Sequence, residues 1–262
     1  MLRHDFHLHT RFSADSMAEP RAYCVRALEH RYRAVCFTDH ADFERSDMGY
    51  GFYDHERYYR AVLDCREEFS DRLAVGFGVE IDYHHSWEDE IRSFLAGKSY
   101  DYVLGAVHYL DDHVLVMEEE HFTGKDQRRA YGEYFAEVLR LVESGICQGL
   151  AHLDVIKRTG AKLYGPYRAV MYADHLVPVF SGLAARGMAL EINLSGYRQG
   201  LGEPLPAFDV LELYATAGGR LVTVGSDAHR PEDACPDLPE VWNLIERKGF
   251  VLWEPAPGFW GR

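Results

Sequence analysis

The sequence lacks any long apolar run. Its longest stretch without Asp, Glu, Lys or Arg is His175 to Ala185, 11 residues, against the roughly 18 that a membrane-crossing helix needs. Its first ten residues carry Arg3, Asp5 and three histidines in place of the apolar centre of a secretory signal. No membrane partner is expected, and the expected location is cytoplasmic. Positive charge is also short: 28 Lys and Arg against 42 Asp and Glu leave a formal charge of −14, a balance that repels a phosphate backbone and excludes nucleic acid as a partner. Cysteine is scarce. Cys24, Cys36, Cys65, Cys147 and Cys235 are far apart and form no CxxC pair, so reduced thiols filling the core are expected instead of disulfides or a thiolate metal site. With no Gly/Ser-rich linker and no internal repeat, residues 1–262 read as one domain. GxSxG is missing, and Gly97-Lys98-Ser99 ends like a phosphate-binding loop but has Arg92 where the first glycine belongs. Catalysis by a side-chain nucleophile therefore has no support.

What is present is an ordinary globular composition, 47% hydrophobic and 27% charged, in which short apolar runs alternate with longer amphipathic stretches. That alternation predicts βα units around a parallel sheet. Strands are expected at Asp5–Leu8, Ala34–Thr38, Leu73–Val79, Tyr102–Val107, Gly149–Ala151, Ala189–Ile192 and Leu221–Val224, and seven such strands point to an α/β barrel. Among the helices, Tyr131, Tyr134, Phe135, Val138 and Leu141 recur at helical spacing, with Glu133, Glu137 and Arg140 expected on the solvent face. Two stretches fit neither period, Ala41–Asp54 and Tyr109–Gly124. Each follows a strand directly, and in a barrel the loops leaving the strand C-termini form the active-site face. They are the expected substrate walls.

Metal-binding residue types fall at the ends of these runs. His7 and His9 close the first, His40 follows the second, Glu80 the third, His108 the fourth and His152 the fifth, while Asp227 and His229 follow the last. Glu191, after Ala189 and Leu190, is left outside the set. Imidazole and carboxylate suit Zn, Mn or Fe, and six histidines with two acids exceed what one ion uses, so the pattern predicts a multinuclear centre. The eight other histidines, His4, His30, His55, His84, His85, His113, His121 and His175, are expected in helices or loops, at the surface or behind the ligands. The acidic run Glu118–Glu120 is expected to be a solvated loop.

The ordered set His7-Leu8-His9-Thr10, Ser13-Ala14-Asp15-Ser16, Thr38-Asp39-His40, Gly78-Val79-Glu80, Ala106-Val107-His108, Gly149-Leu150-Ala151-His152-Leu153-Asp154 and Ser226-Asp227-Ala228-His229 resembles the PHP (polymerase and histidinol phosphatase) family from Phe6 to His229. The resemblance implies a distorted seven-stranded (β/α)7 TIM-like barrel with three divalent ions (Zn, Mn or Fe) at the C-terminal face of the strands. By that resemblance His7, His9, Glu80 and Asp227 would hold one ion, Glu80, His108 and His152 a second, and Asp15, His40 and His229 a third. Asp15 stands where many members have His, and Asp is the harder ligand.

Within the family, the Ser-Ala-Asp-Ser stretch, the run from His152 to Arg158 and the segment Glu191 to Arg198 are similar to the stand-alone histidinol-phosphate phosphatases. This implies hydrolysis of a small phosphorylated substrate, L-histidinol phosphate, in histidine biosynthesis, by a hydroxide bridging two metals. Arg158 and Arg198, with His40 and His229, would bind the substrate phosphate, the two guanidinium groups as bidentate forks, and Asp227 or His229 would protonate the leaving alkoxide. A broader phosphoesterase acting on nucleotides or sugar phosphates is a second reading. A noncatalytic module is a third, disfavoured by the complete ligand set.

Overall fold

The seven apolar runs form parallel strands, and the computed structural model, which describes residues 3–111, 113–255 and 259, adds two short ones. The strands are β1 (His4–Leu8), β2 (Ala34–Phe37), β3 (His40–Ala41), β4 (Ala74–Asp82), β5 (Tyr102–Ala106), β6 (Gly149–Leu150), β7 (Ala189–Asn193), β8 (Leu221–Gly225) and β9 (Val251–Leu252). Between them run helices α1 (Pro20–Glu29), α2 (His55–Phe69), α3 (Glu88–Leu95), α4 (Gln127–Ser144), α5 (Lys157–Tyr164), α6 (Ala173–Arg186), α7 (Ser195–Arg198), α8 (Phe208–Thr216) and α9 (Pro239–Lys248). The sheet order is β1-β2-β4-β5-β6-β7-β8-β9, with β3 paired to β4. It curls until its ends meet: the His9 amide donates to the Ala228 carbonyl at 3.0 Å and the Asp227 amide to that of His7 at 2.8 Å. Lower down, β9 takes the edge of β8, pairing Leu221 with Val251 and Val222 with Leu252. The result is a distorted α/β barrel of seven strands, joined edge to edge near its C-terminal rim. β3 and β9, two residues each, are too short to register as periodicity.

Alternation along the strands decides what faces the lumen. In β4, Val75, Phe77, Val79 and Ile81 pack outward under the helices, which leaves Gly76, Gly78, Glu80 and Asp82 on the inner face. A Cβ at Gly78 would lie 2.8 Å from the carbonyl oxygens of both Phe37 and Tyr102, so the strands approach each other there only because the side chain is missing. Phe6, Cys36, Tyr102, Leu104 and Ala151 fill the lower lumen, with Trp253 and Phe259 packed against them. β4 runs to Asp82, so Glu80 lies inside the strand, not after it.

Helix α4 is set by its ends and by its stripe. The Asp126 carboxylate accepts the Arg129 amide at 2.8 Å, satisfying one of the amides a helix start leaves open, and Gly145 closes the helix at φ 64°. Tyr131, Tyr134, Phe135, Val138 and Leu141 are buried. Burial of Phe135, Val138 and Leu141 is worth about 1.5–3 kcal/mol each. Glu137, expected on the solvent face, is buried as well: it accepts the His85 amide at 2.6 Å and pairs with Arg140 at 2.9 Å. The segment after β4 covers α4 on a second side and supplies these partners. All five cysteines are buried and free, and Glu118–Glu120 is exposed. Among the described residues no helix is long and apolar enough to cross a membrane.

Candidate metal centre

Strand ends and the turns beyond them deliver the ligand-type residues. His7 lies next to the end of β1 and His9 follows it, His40 opens β3, Glu80 points inward from β4, and His108 and His152 follow β5 and β6. Asp227 and His229 follow β8, and Asp15 comes from the loop before α1. A bulge in β1 between Asp5 and Leu8 breaks the alternation, so that Phe6 fills the lumen while His7 reaches the rim. Gly225 makes room for them: a Cβ there would lie 2.3 Å from Glu191 Oε1 and 2.4 Å from His7 Cβ.

Glu80 is the hub. Its Oε2 lies 3.2 Å from His7 Nε2, 3.5 Å from His9 Nε2 and 3.1 Å from His40 Nδ1, and its Oε1 lies 3.1 Å from His152 Nε2. Asp227 Oδ1 is 3.4 Å from His9 Nε2. His108 and His152 face each other through their Nε2 atoms at 3.4 Å, and Asp15 Oδ2 is 2.9 Å from His229 Nε2 and 3.7 Å from His40 Nε2. Among the described residues four groups have ligand atoms within 4.8 Å of one another, and three of them lie here: His7, His9 and Glu80; Glu80, His108 and His152; and His9, His40 and His229; the fourth is His84, His85 and Asp111. The third draws His9 toward the pair expected beside Asp15.

These residues fit divalent metal. His7 Nε2, His9 Nε2, His40 Nδ1 and Glu80 Oε2 are buried without a hydrogen bond of acceptable geometry, and each such atom costs about 1–3 kcal/mol if left so. Four of them converging on one region call for cations, and a nitrogen and carboxylate donor set suits Zn, Mn or Fe. The electrostatics agree. Burial works against ionised Glu80, yet His7 and His40 hold its carboxyl well below the usual range. Burial likewise opposes the His7 imidazolium, and Glu191, Glu80 and Asp227 outweigh it and raise its pKa well above normal. His229 is pushed up to about 9, with Asp15 and Asp227 outweighing burial. The pocket therefore carries carboxylate charge that demands positive charge beside it.

Partners behind the ligands escape sequence reasoning. Glu191 Oε1 lies 2.6 Å from His7 Nδ1, and its Oε2 accepts the His152 amide at 2.8 Å and Asn193 Nδ2 at 3.0 Å. It thus orients two ligands from different strands. The signal was available in the alternation of β7, where Leu190 and Ile192 face outward and Glu191 and Asn193 share the other face. Asp82, in β4, lies 3.4 Å from His108 Nδ1. Of the histidines placed at the surface or behind the ligands, His4 instead lies in β1, fully buried, accepting the Val224 amide at 2.9 Å, while His84 and His121 are buried. Their positions depend on contacts with distant chain segments.

A cleft of about 460 Å³ opens over the cluster, lined by ligand residues and by Asp42, Asp47, Met48, Gly49, Leu115 and Met117 from the two expected walls. Asp112, within the second wall, lies outside the described residues. Arg158 and Arg198 both line the cleft but differ in state. Arg158, at the start of α5, has its Nη1 3.1 Å from the Met117 sulfur, a weak acceptor. Arg198 ends the one-turn helix α7, and its Nη1 and Nη2 donate to the carbonyls of Ser226 and Asp227, each at 2.8 Å. Arg230 and Asp233 also line the cleft and carried no sequence signal.

A family model described as the PHP domain matches residues 5–195. The histidinol-phosphatase of Lactococcus lactis is 28% identical over 256 residues, 95% of this chain and 93% of the relative. A probable histidinol-phosphatase of Deinococcus radiodurans is 33% identical over 241 residues, 87% of this chain and 86% of the relative. The crystal structure of the Lactococcus lactis histidinol phosphate phosphatase, complexed with zinc, L-histidinol and phosphate, superposes with a TM-score of 0.85 at 27% identity, covering 97% of each chain. With a matching model across most of the chain, the same barrel and its ligand-type residues gathered at one rim, the protein belongs to the PHP domain family.

Proposed function

We propose that this chain is a metal-dependent phosphomonoesterase that hydrolyses L-histidinol phosphate to L-histidinol and phosphate. The observation that carries the reading is the convergence of nine ligand-type residues, His7, His9, Asp15, His40, Glu80, His108, His152, Asp227 and His229, beneath a cleft that also holds Arg158. The relatives named histidinol-phosphatase, and the neighbour holding zinc, L-histidinol and phosphate, support it over nucleotide or sugar phosphates. Bound divalent ions supply hydroxide at neutral pH and offset charge on the phosphoryl oxygens.

The chain's own residues do the rest. Arg158, whose Nη1 meets a weak acceptor in the Met117 sulfur, grips the nonbridging oxygens, and His40 and His229 flank the phosphate from the rim. The departing alkoxide takes its proton from the turn after β8, where Asp227 and His229 both line the cleft. Of the wall acids, Asp47 is occupied: it accepts the Gly49 amide at 2.7 Å and the Tyr109 hydroxyl at 2.6 Å. Asp42 lines the cleft beside it and receives the ammonium of histidinol. The deciding experiment measures phosphate release from histidinol phosphate, AMP, a sugar phosphate and p-nitrophenyl phosphate. A kcat/KM for histidinol phosphate no greater than for the others would refute the substrate assignment.

A further inference from the structure

Ser13 belongs to the Ser-Ala-Asp-Ser stretch, is buried and has no place among the ligands. Its hydroxyl has three polar neighbours: Asp39 Oδ1 at 2.7 Å, the His40 amide at 2.9 Å and His9 Nδ1 at 3.2 Å. A hydroxyl has one proton to give and two lone pairs, so the directions of these three contacts are determined together.

As a carboxylate, Asp39 can only accept. The Thr10 amide donates to its Oδ1 at 2.5 Å and the Thr10 hydroxyl to its Oδ2 at 2.7 Å. The Thr10 oxygen in turn accepts the Phe12 amide at 3.4 Å, which leaves its proton for Asp39. Ser13 therefore spends its single proton on Asp39. The His40 amide takes one of its lone pairs, and the other faces His9 Nδ1, which must bring a proton. A neutral imidazole carries one N–H and one lone pair. With the proton on Nδ1, the lone pair of His9 lies on Nε2, which is buried, lacks a hydrogen bond, and faces Glu80 Oε2 at 3.5 Å and Asp227 Oδ1 at 3.4 Å.

We infer that Ser13, backed by Asp39, is a positioning residue that holds His9 in its Nδ1–H tautomer and so presents Nε2 as a metal ligand. This rests on the metal-centre reading of the same site. His7 reaches the same end by a different route, its Nδ1 meeting the Glu191 carboxylate directly. In His9 a neutral hydroxyl stands between imidazole and carboxylate, and the same oxygen also ties down the backbone of His40, so one residue sets two ligands of the centre.

The test uses zinc-loaded protein with nitrogen-15-labelled histidine, the His9 signals identified from the spectrum of His9→Gln. The parental protein should show a protonated Nδ1 on His9. Ser13→Ala should raise the zinc dissociation constant about 10-fold to 100-fold, the usual effect of removing an outer partner of a ligand, and Ser13→Thr, which keeps the hydroxyl, should recover most of that loss. An unprotonated His9 Nδ1 in the loaded parental protein would overturn the inference, and that measurement does not depend on any Ser13 variant folding. So would a Ser13→Ala protein with parental zinc affinity. A parental protein that binds no zinc, manganese or iron would instead overturn the metal-centre reading itself.

Discussion

Arg198 holds the main-chain carbonyl of Asp227 at 2.8 Å through Nη2, and Asp227 is a non-glycine residue at φ 55°. That conformation costs of order 1–3 kcal/mol and persists only where the surroundings enforce it. Here the second guanidinium donor takes the neighbouring Ser226 carbonyl, and the Asp227 amide is tied to His7 at 2.8 Å. The turn that aims the Asp227 carboxylate at His9 is thus clamped from both sides. Two of the five N–H donors of the guanidinium expected to grip phosphate thus go to the protein's own backbone.

The two arginines should therefore separate in mutants. A hydrogen bond to a charged group is worth about 1.5–3 kcal/mol, and each 1.36 kcal/mol is tenfold in rate. Arg158→Ala should lower kcat/KM for histidinol phosphate roughly 10-fold to 100-fold with bound metal unchanged, whereas Arg198→Ala should lose metal together with activity. Kinetics paired with elemental analysis check this. Parental kcat/KM in Arg158→Ala, or full metal content in Arg198→Ala, would contradict the division of labour.

Glu80 touches four of the histidines, so Glu80→Gln should lose most metal and nearly all turnover, while His175→Ala, on α6 and paired with Asp174 at 3.8 Å, should lose neither. Exhaustive chelation should abolish activity in the parental protein, and Zn, Mn or Co should restore it. Activity that survives verified metal removal would require a different chemistry.

The Asp42 assignment concerns specificity, and the test must separate it from the His40 imidazole 3.8 Å away. Asp42→Asn should lower kcat/KM for histidinol phosphate by about 10-fold to 100-fold, the worth of one charged hydrogen bond, and leave hydrolysis of p-nitrophenyl phosphate, which has no ammonium, close to parental. Equal losses on both substrates would mean that Asp42 serves the metal centre and not the amine.

Stability should respond to acid through His4. Burial holds its imidazole down to about 3, against 6.5 for the free side chain, while it accepts the Val224 amide. As pH falls below 6.5 the unfolded chain takes up a proton that the folded chain refuses, so the stability His4 contributes is complete above pH 6.5 and drains away toward pH 3. His4→Gln keeps an acceptor without a charge to gain. Thermal unfolding of metal-free protein between pH 7.5 and 5 should show a larger drop in Tm for the parent than for the variant, and parallel curves would refute this.

The strands, and the gathering of eight of the nine ligand-type residues at one rim, were legible in the sequence because each depends on local pattern, whereas Asp15 came from the family resemblance. A parallel strand of five residues carries its own apolar signature, and its C-terminal end places the next polar residue at the rim whatever the rest of the chain does. His108, His152 and His229 could be named for that reason, whereas Glu80 was named from an expected strand end at Val79 that β4 overruns to Asp82. Tertiary structure alone decided what stands behind and between them. Glu191 meets His7 across the intervening strand β8, Glu137 is buried because another segment covers it, and the Arg198 fork turns back onto the backbone of the turn after β8. Each of these is a contact between segments distant in the chain, and a hydrogen bond's direction follows from which donors and acceptors arrive at one point. Residue type and spacing carry no record of that arrival.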